Sequence, residues 1–168
     1  MKKQIFITNG MARSGKDTFA AYLNEFVPTL KYSSIDKVKD VATHCGWDGG
    51  KTEKDRKFLS DLKVLTSEYS NMPFEAINNK VREFLNEDNR HVVMLIDIRE
   101  PEEIERAKNA FGAGTILIQN DNVKFINSNM ADANVFNYKY DYIVLNNGTL
   151  NEFKETVKSF ADKVILNA

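Results

Sequence analysis

Two glycines and a lysine in Gly10-Met11-Ala12-Arg13-Ser14-Gly15-Lys16-Asp17-Thr18 have the types and spacing to grip phosphate. The pattern is that of a Walker A loop with one departure: Asp17 stands where serine or threonine normally follows the lysine. Glycines let the turn bring successive backbone N–H groups around phosphate oxygens, and the positive end of a following helix faces the same anion. Lys16 adds a mobile point charge suited to β- and γ-phosphates. Asp97 is the second chemical feature, ending the apolar run His91-Val-Val-Met-Leu-Ile-Asp97. A carboxylate there can hold Mg²⁺ directly or through water, because Mg²⁺ takes oxygen ligands and keeps several waters. Its competing role is to cap the helix that begins near Pro101.

Such a loop works only where it joins a strand to a helix; elsewhere the same residues make an ordinary turn. Gln4-Ile5-Phe6-Ile7-Thr8 is a short apolar run that reads as a buried strand, and Phe19, Ala20, Leu23, Phe26 and Val27 have the spacing of one helix face. Beyond Pro28, Leu30–Ser34 reads as a second strand, Ile35–Cys45 as a short helix and Gly46–Lys51 as a turn-rich stretch. Phe58, Leu59, Leu62, Leu65 and Tyr69 mark the next helix, starting near Thr52 or Glu53. Pro73 suits the first turn of another, continued by Phe74, Ile77, Val81, Phe84 and Leu85.

The run ending at Asp97 has five consecutive apolar residues, which implies burial on both faces, as in a central parallel strand. Pro101 opens a helix carrying Ile104, Ala107 and Phe111, which Gly112 and Gly114 end. Thr115–Ile118 and Tyr142–Leu145 are the remaining strands, and Leu150, Phe153, Val157, Phe160 and Val164 mark a closing helix. Alternating strands and helices predict an α/β fold with a parallel sheet of about five strands flanked by helices. Ligands bind outside the carboxyl ends of such strands, so Lys16 and Asp97 are expected at one edge.

The chain has 168 residues, 42% of them hydrophobic and 28% charged, as expected of one soluble globular domain. Lysine and arginine number 23 against 24 acidic residues, so no bulk positive charge points to nucleic acid, and any anion site is local. Cys45 stands alone, which excludes an intrachain disulfide or a cysteine metal cluster. No run has membrane-spanning length, and the apolar run after Lys2 and Lys3 is too short for a signal peptide. These features fit a cytoplasmic enzyme, though composition alone also fits a binding module.

Asp97-Ile98-Arg99-Glu100-Pro101-Glu102-Glu103 resembles the Asp-Val-Arg-x-Pro-x-Glu stretch of bacteriophage-type deoxynucleoside monophosphate kinases. Arg13-Ser14-Gly15-Lys16-Asp17-Thr18 resembles the loop of the same family, where aspartate after the lysine is usual. Asp141-Tyr-Ile-Val-Leu-Asn146-Asn147-Gly148-Thr149-Leu150 resembles its last strand and helix start. The middle third aligns by pattern alone. Other P-loop kinases of small phosphorylated molecules, including animal-type phosphomevalonate kinase, share Gly-Lys-Asp and a similar Asp-x-Arg stretch.

The resemblance implies a three-layer P-loop NTPase fold of the nucleoside monophosphate kinase type, with ATP and Mg²⁺ as cofactors and nucleotides as substrates. It assigns Gly10–Thr18 to the ATP phosphates, catalytic roles to Lys16, Asp97 and Arg99, and Mg²⁺ to Asp17 and Asp97. Arg13 and Arg99 would reach phosphates of donor or acceptor; otherwise Arg13 is an exposed loop charge and Arg99 a surface partner of Glu100 or Glu103. The acceptor is expected in a helical region spanning about residues 35–88, with Ser33, Ser34, Asp36, Lys37 and Lys39 after the second strand. Arg56 would grip the acceptor phosphate, or else belongs to the solvated charge run Lys51–Lys57. Trp47, Tyr32 and Tyr69 either stack on a base or pack in the core, and His44 and His91 are structural.

Gln119–Tyr140 is polar, Asn-rich and weakly periodic, and reads as a loop or lid. Nucleotide kinases commonly carry arginines in a closing lid, but this chain has none after Arg106, and its candidate lid offers only Lys124 and Lys139. Lysine neutralises phosphate without arginine's planar fork. Either Lys124 substitutes, or another subunit of a homodimer contributes, or catalysis is weak or directed elsewhere.

Overall fold

The computed structural model describes residues 2–86, 90–123 and 134–167. The chain divides into two compact units, Met1–Lys31 with Asp88–Ala168, and Tyr32–Glu87. The first crossing, between Lys31 and Tyr32, falls inside a strand, where the sequence shows no linker. Five strands form one sheet: β1 (Gln4–Asn9), β2 (Thr29–Ser33), β3 (Val93–Asp97), β4 (Gly114–Gln119) and β5 (Tyr142–Leu145), ordered β2-β3-β1-β4-β5. β1 pairs in parallel with β3 and β4, and β4 with β5. The apolar run of β3 is buried as its composition requires, yet β1 holds the centre of the sheet.

In the first unit, α1 (Lys16–Phe26) buries Phe19, Ala20 and Leu23, and α6 (Leu150–Phe160) buries Phe153, Val157 and Phe160. A capping box between Thr149 and Glu152 fixes the start of α6, and π-helical turns at Ala161–Leu166 extend it. Both helices share a core with Phe6, Leu95 and Ile116. Phe160 anchors it, its ring edge-to-face with Phe19 at 5.7 Å, Tyr142 at 5.6 Å and Phe6 at 6.0 Å. α5 (Pro101–Phe111) starts with proline, ends at Gly112 with φ 60°, and lies against β1 and β4. Strand alternation puts Phe6 and Thr8 of β1, with Leu95 and Asp97 of β3, on the face that packs α1.

The second unit holds α2 (Asp36–His44), α3 (Glu53–Ser70) and α4 (Met72–Asn86), which pack on one another. A capping box between Thr52 and Asp55 starts α3, and Asn71 at φ 54° turns the chain into α4. α4 buries Ile77, Val81 and Phe84. α3 buries no residue fully: Leu65 is 63% exposed and Tyr69 90%. Tyr69 therefore does not pack in a core. Trp47 is half-buried and donates from Nε1 to the Gly50 carbonyl at 3.2 Å. Among the described residues no helix is long and apolar enough to cross a membrane.

Candidate functional site

β1 ends at Asn9, a fully buried side chain with three hydrogen bonds. Its Oδ1 accepts from the Gly10 N–H at 2.8 Å, and its Nδ2 donates to the Arg99 carbonyl at 3.0 Å and the Tyr140 hydroxyl at 2.8 Å. One amide thus ties the loop to the chain after β3 and to the residues before β5. The turn needs its glycines. A Cβ on Gly10 would meet the Ile118 carbonyl oxygen at 2.4 Å, and one on Gly15, at φ 101°, would meet Asn146 Nδ2 at 2.4 Å. Between them Arg13 adopts φ 68°, and the Ser14 N–H donates to Met11 O at 3.1 Å.

Asn146, just past β5, donates from Nδ2 to Ser14 O at 2.9 Å and steadies the loop from its other side. Lys16 Nζ donates to the carbonyls of Gly10 at 2.5 Å and Met11 at 3.2 Å, which holds the ammonium over the loop backbone. α1 begins at Lys16, and its first intrahelical bond runs from the Phe19 N–H to Gly15 O at 2.8 Å. The N–H groups of Lys16, Asp17 and Thr18 therefore belong to the first helical turn, whose donors have no partner within a helix. Ser14 Oγ is buried and has no hydrogen-bond partner among the described residues. A buried hydroxyl left in that state is uncommon, and an anion oxygen is an acceptor that would satisfy it. Loop, helix start and orphan hydroxyl fit a nucleotide phosphate chain.

The parallel register places Thr8 opposite Asp97. Thr8 Oγ1 accordingly donates to Asp97 Oδ1 at 2.5 Å, while Lys31 Nζ, from β2, approaches Asp97 Oδ2 at 3.0 Å. The same ammonium donates to Asp17 Oδ1. Burial acts to lower the Lys31 pKa, but the hydrogen bond to Asp17 and the charge and hydrogen bond of Asp97 outweigh it, so its pKa is raised. Asp97 is bonded to Thr8 and Lys31 and does not cap α5, whose N-cap is Glu100 with no side-chain cap bond. Two carboxylates sharing one cation are the donor set a divalent ion would use. The described residues contain no group of three or more His, Cys, Asp or Glu able to hold a metal. Mg²⁺ with phosphate and water as further ligands needs no third carboxylate.

Part of the candidate lid lies among the described residues, and that part is fastened down. Val135 begins a single 3₁₀ turn, Val135–Asn137, and packs with Met11 and Leu117 against Val123 and Tyr140. The Tyr140 hydroxyl donates to Val135 O at 2.8 Å, and its pKa is raised, chiefly by burial. The Tyr138 hydroxyl donates to Glu105 on α5 at 2.7 Å, and burial with that carboxylate pushes its pKa well up. Asp141 accepts from Lys108 Nζ at 2.8 Å and from the Thr115 N–H and hydroxyl at 2.9 Å each. Lys124, expected to bind substrate, lies outside the described residues, as does the segment 124–133.

The acceptor residues expected from the sequence belong mainly to the helical unit. Asp36 accepts from the Ser33 N–H at 2.8 Å and so shapes the turn into α2, with Lys39 at 3.9 Å. Arg56 lies exposed in the first turn of α3, its N–H bonded to Thr52 O at 3.0 Å. His44 Nδ1 pairs with Asp40 O at 2.7 Å, a local helical contact.

The structure thus brings the loop, Lys16, Asp17 and Asp97 to the carboxyl edge of the sheet, with Arg99 held there through its backbone. Sequence reasoning missed Thr8, Asn9, Lys31 and Tyr140 as members of the site. Asn9 carried the clearest signal, a polar residue ending an apolar strand just before the first loop glycine.

The sequence matches no protein-family model and no curated protein. Solved structures do match. Dephospho-CoA kinase from Campylobacter jejuni shares 16% identity and a TM-score of 0.53, over 96% of this chain and 97% of that one. Shikimate kinase from Aquifex aeolicus shares 13% identity and a TM-score of 0.54, over 98% of this chain and all of that one. Likeness at these identities establishes the fold, which is the three-layer α/β fold of P-loop NTPases.

Proposed function

We propose that this chain is an ATP- and Mg²⁺-dependent phosphotransferase whose acceptor is a (deoxy)nucleoside monophosphate. One observation carries the reading: a glycine loop opening α1, with a buried unpartnered Ser14 hydroxyl and Lys16 across it, beside the Asp17–Asp97 carboxylate pair. That set matches the phosphate chain and the ion that accompanies it. The bond from γ-phosphorus to the β-phosphate oxygen breaks as a new one forms to an acceptor phosphate oxygen. The acceptor is already an anion, so no strong general base is required. Positioning and charge stabilisation dominate such transfers.

Lys16 neutralises charge on the transferred group, the loop N–H groups fix the donor phosphates, and Arg99 and Arg13 hold phosphate oxygens. Asp97 and Asp17 would hold Mg²⁺, which would supply charge neutralisation on the phosphates. Ser33, Asp36, Arg56 and Lys124 complete the acceptor side. The deoxynucleotide acceptor rests on the Asp97-Ile-Arg99-Glu-Pro101 stretch. A second acceptor class, another small phosphorylated metabolite, is supported by the Gly15-Lys16-Asp17 and Asp97-Ile98-Arg99 stretches, which other P-loop kinases share, and the absence of arginine after Arg106 motivates a third reading, nucleotide binding without catalysis.

A panel of nucleoside and non-nucleoside monophosphates with labelled ATP decides between them. Transfer confined to nucleoside monophosphates supports the first reading. Transfer to another phosphorylated acceptor moves the assignment to the second. ATP binding with no transfer to any acceptor shows a nucleotide-binding protein without catalysis. Lys16→Ala should lower turnover on the order of a thousandfold while the protein stays folded; undiminished turnover would remove the loop from the mechanism.

A further inference from the structure

We propose that Lys31 is a built-in cation that holds the Asp17–Asp97 pair together and gives way to the divalent ion arriving with the nucleotide. The inference rests on the proposed nucleotide reading and adds a role for a residue outside the loop motif. Its basis is geometric. Lys31 leaves β2 and its single ammonium contacts Asp97 Oδ2 at 3.0 Å and Asp17 Oδ1. Asp97 is the less mobile partner, its other oxygen fixed by Thr8 at 2.5 Å and its side chain only 18% exposed. Asp17 lies on the first turn of α1 with its side chain 95% exposed, so water reaches it far more readily than Asp97.

An ammonium bridging two oxygens leaves them up to about 6 Å apart, two hydrogen-bond lengths. A divalent ion, which takes carboxylate oxygens directly or through water, would draw on the same two carboxylates. Ammonium and divalent ion therefore compete for the same place. Charge points the same way. Two carboxylates and one lysine sum to one negative charge; replacing the lysine by a divalent ion makes the pair neutral. The displaced ammonium, still tethered to β2, adds a positive charge beside the phosphates. Free metal is thereby disfavoured and metal arriving with nucleotide phosphates is favoured.

The test is Mn²⁺ binding to the full chain, read by electron paramagnetic resonance, with no acceptor present and so no turnover. Lys31→Met should tighten binding of Mn²⁺ alone by at least about fivefold, since two charge contacts no longer compete. Lys31→Gln, which keeps hydrogen bonding without charge, should do the same and serves if the methionine variant fails to fold. Adding Asp97→Asn to either should abolish the gain. Unchanged or weaker Mn²⁺ binding in both lysine variants, with Mn²⁺–ATP still bound by the wild type, overturns the role of Lys31 and leaves the nucleotide reading standing. Failure of the wild type and both variants to bind Mn²⁺, with or without ATP, overturns both.

Discussion

Asn9 is the residue whose removal should most disturb the site without touching a ligand. It is fully buried, and Asn9→Ala strands three groups: the Gly10 N–H, the Arg99 carbonyl and one side of the Tyr140 hydroxyl. The Gly10 N–H carries most of the cost, because Gly10 is itself buried, whereas Tyr140 keeps its bond to Val135. At about 1–3 kcal/mol for a well-buried unsatisfied group and less for the others, the loss should be about 2–4 kcal/mol. Tyr140→Phe should cost about 1–2 kcal/mol, and the shared Asn9–Tyr140 bond should appear as a coupling of about 1 kcal/mol in a double-mutant cycle. Urea unfolding followed by far-UV circular dichroism is the suitable assay. Fluorescence of the single tryptophan is not, since Trp47 lies in the helical unit and Asn9 in the other. Additivity within about 0.3 kcal/mol would show that the amide and the phenol do not act together. Asn9 would then not fasten the 134–140 segment to the loop.

Gly15→Ala should cost about 2–3 kcal/mol, since the methyl sits at positive φ and displaces the Asn146 amide from Ser14 O. ATP affinity by calorimetry should fall at least about tenfold for the same reason, and unaltered affinity would refute the loop geometry. Asp141→Asn tests pH linkage. Burial acts to raise the Asp141 pKa, but Lys108 and the two Thr115 donors outweigh it and hold the group below its ordinary value. A depressed folded pKa stabilises the native state above the unfolded value and is lost as pH falls through the folded one. Thermal melts of the wild type should therefore fall away below about pH 4 more steeply than those of Asp141→Asn. Parallel profiles would show that the Asp141 contacts with Lys108 and Thr115 contribute no linkage.

The local units of the fold were legible because each rests on a pattern a few residues long. Strand, glycine turn and helix around Gly10–Thr18, and the helix between Pro101 and Gly112, appear where propensity and spacing place them. What escaped depends on strand order and register. Lys31 sits in a short strand of mixed composition that reads as a surface, and only the placement of β2 beside β3 brings it to Asp97. Thr8 looks like an ordinary β residue until register sets it opposite Asp97. Leu65 and Tyr69 show a different limit. Their spacing marks a helix that does form, but periodicity says which side is apolar and nothing about what covers it, and both side chains are exposed.

These placements also bear on how a chain without arginine after Arg106 would neutralise phosphate. An arginine on a closing lid acts only when the lid is shut, and its planar fork must be aimed anew in each cycle. Here Lys16 stands on the first residue of α1 with its ammonium on the loop carbonyls of Gly10 and Met11, and Lys31 stands on β2 with its ammonium on Asp97 and Asp17. Charges mounted on helices and strands keep their positions better than charges on loops. On the proposed reading, electrostatic stabilisation would be largely present before any segment moves. Substitutions at Lys16 or Lys31 should accordingly outweigh substitution of Lys139, at the far end of the candidate lid. A Lys139→Ala enzyme losing more turnover than Lys31→Met would show that the lid, not the sheet edge, supplies the decisive charge.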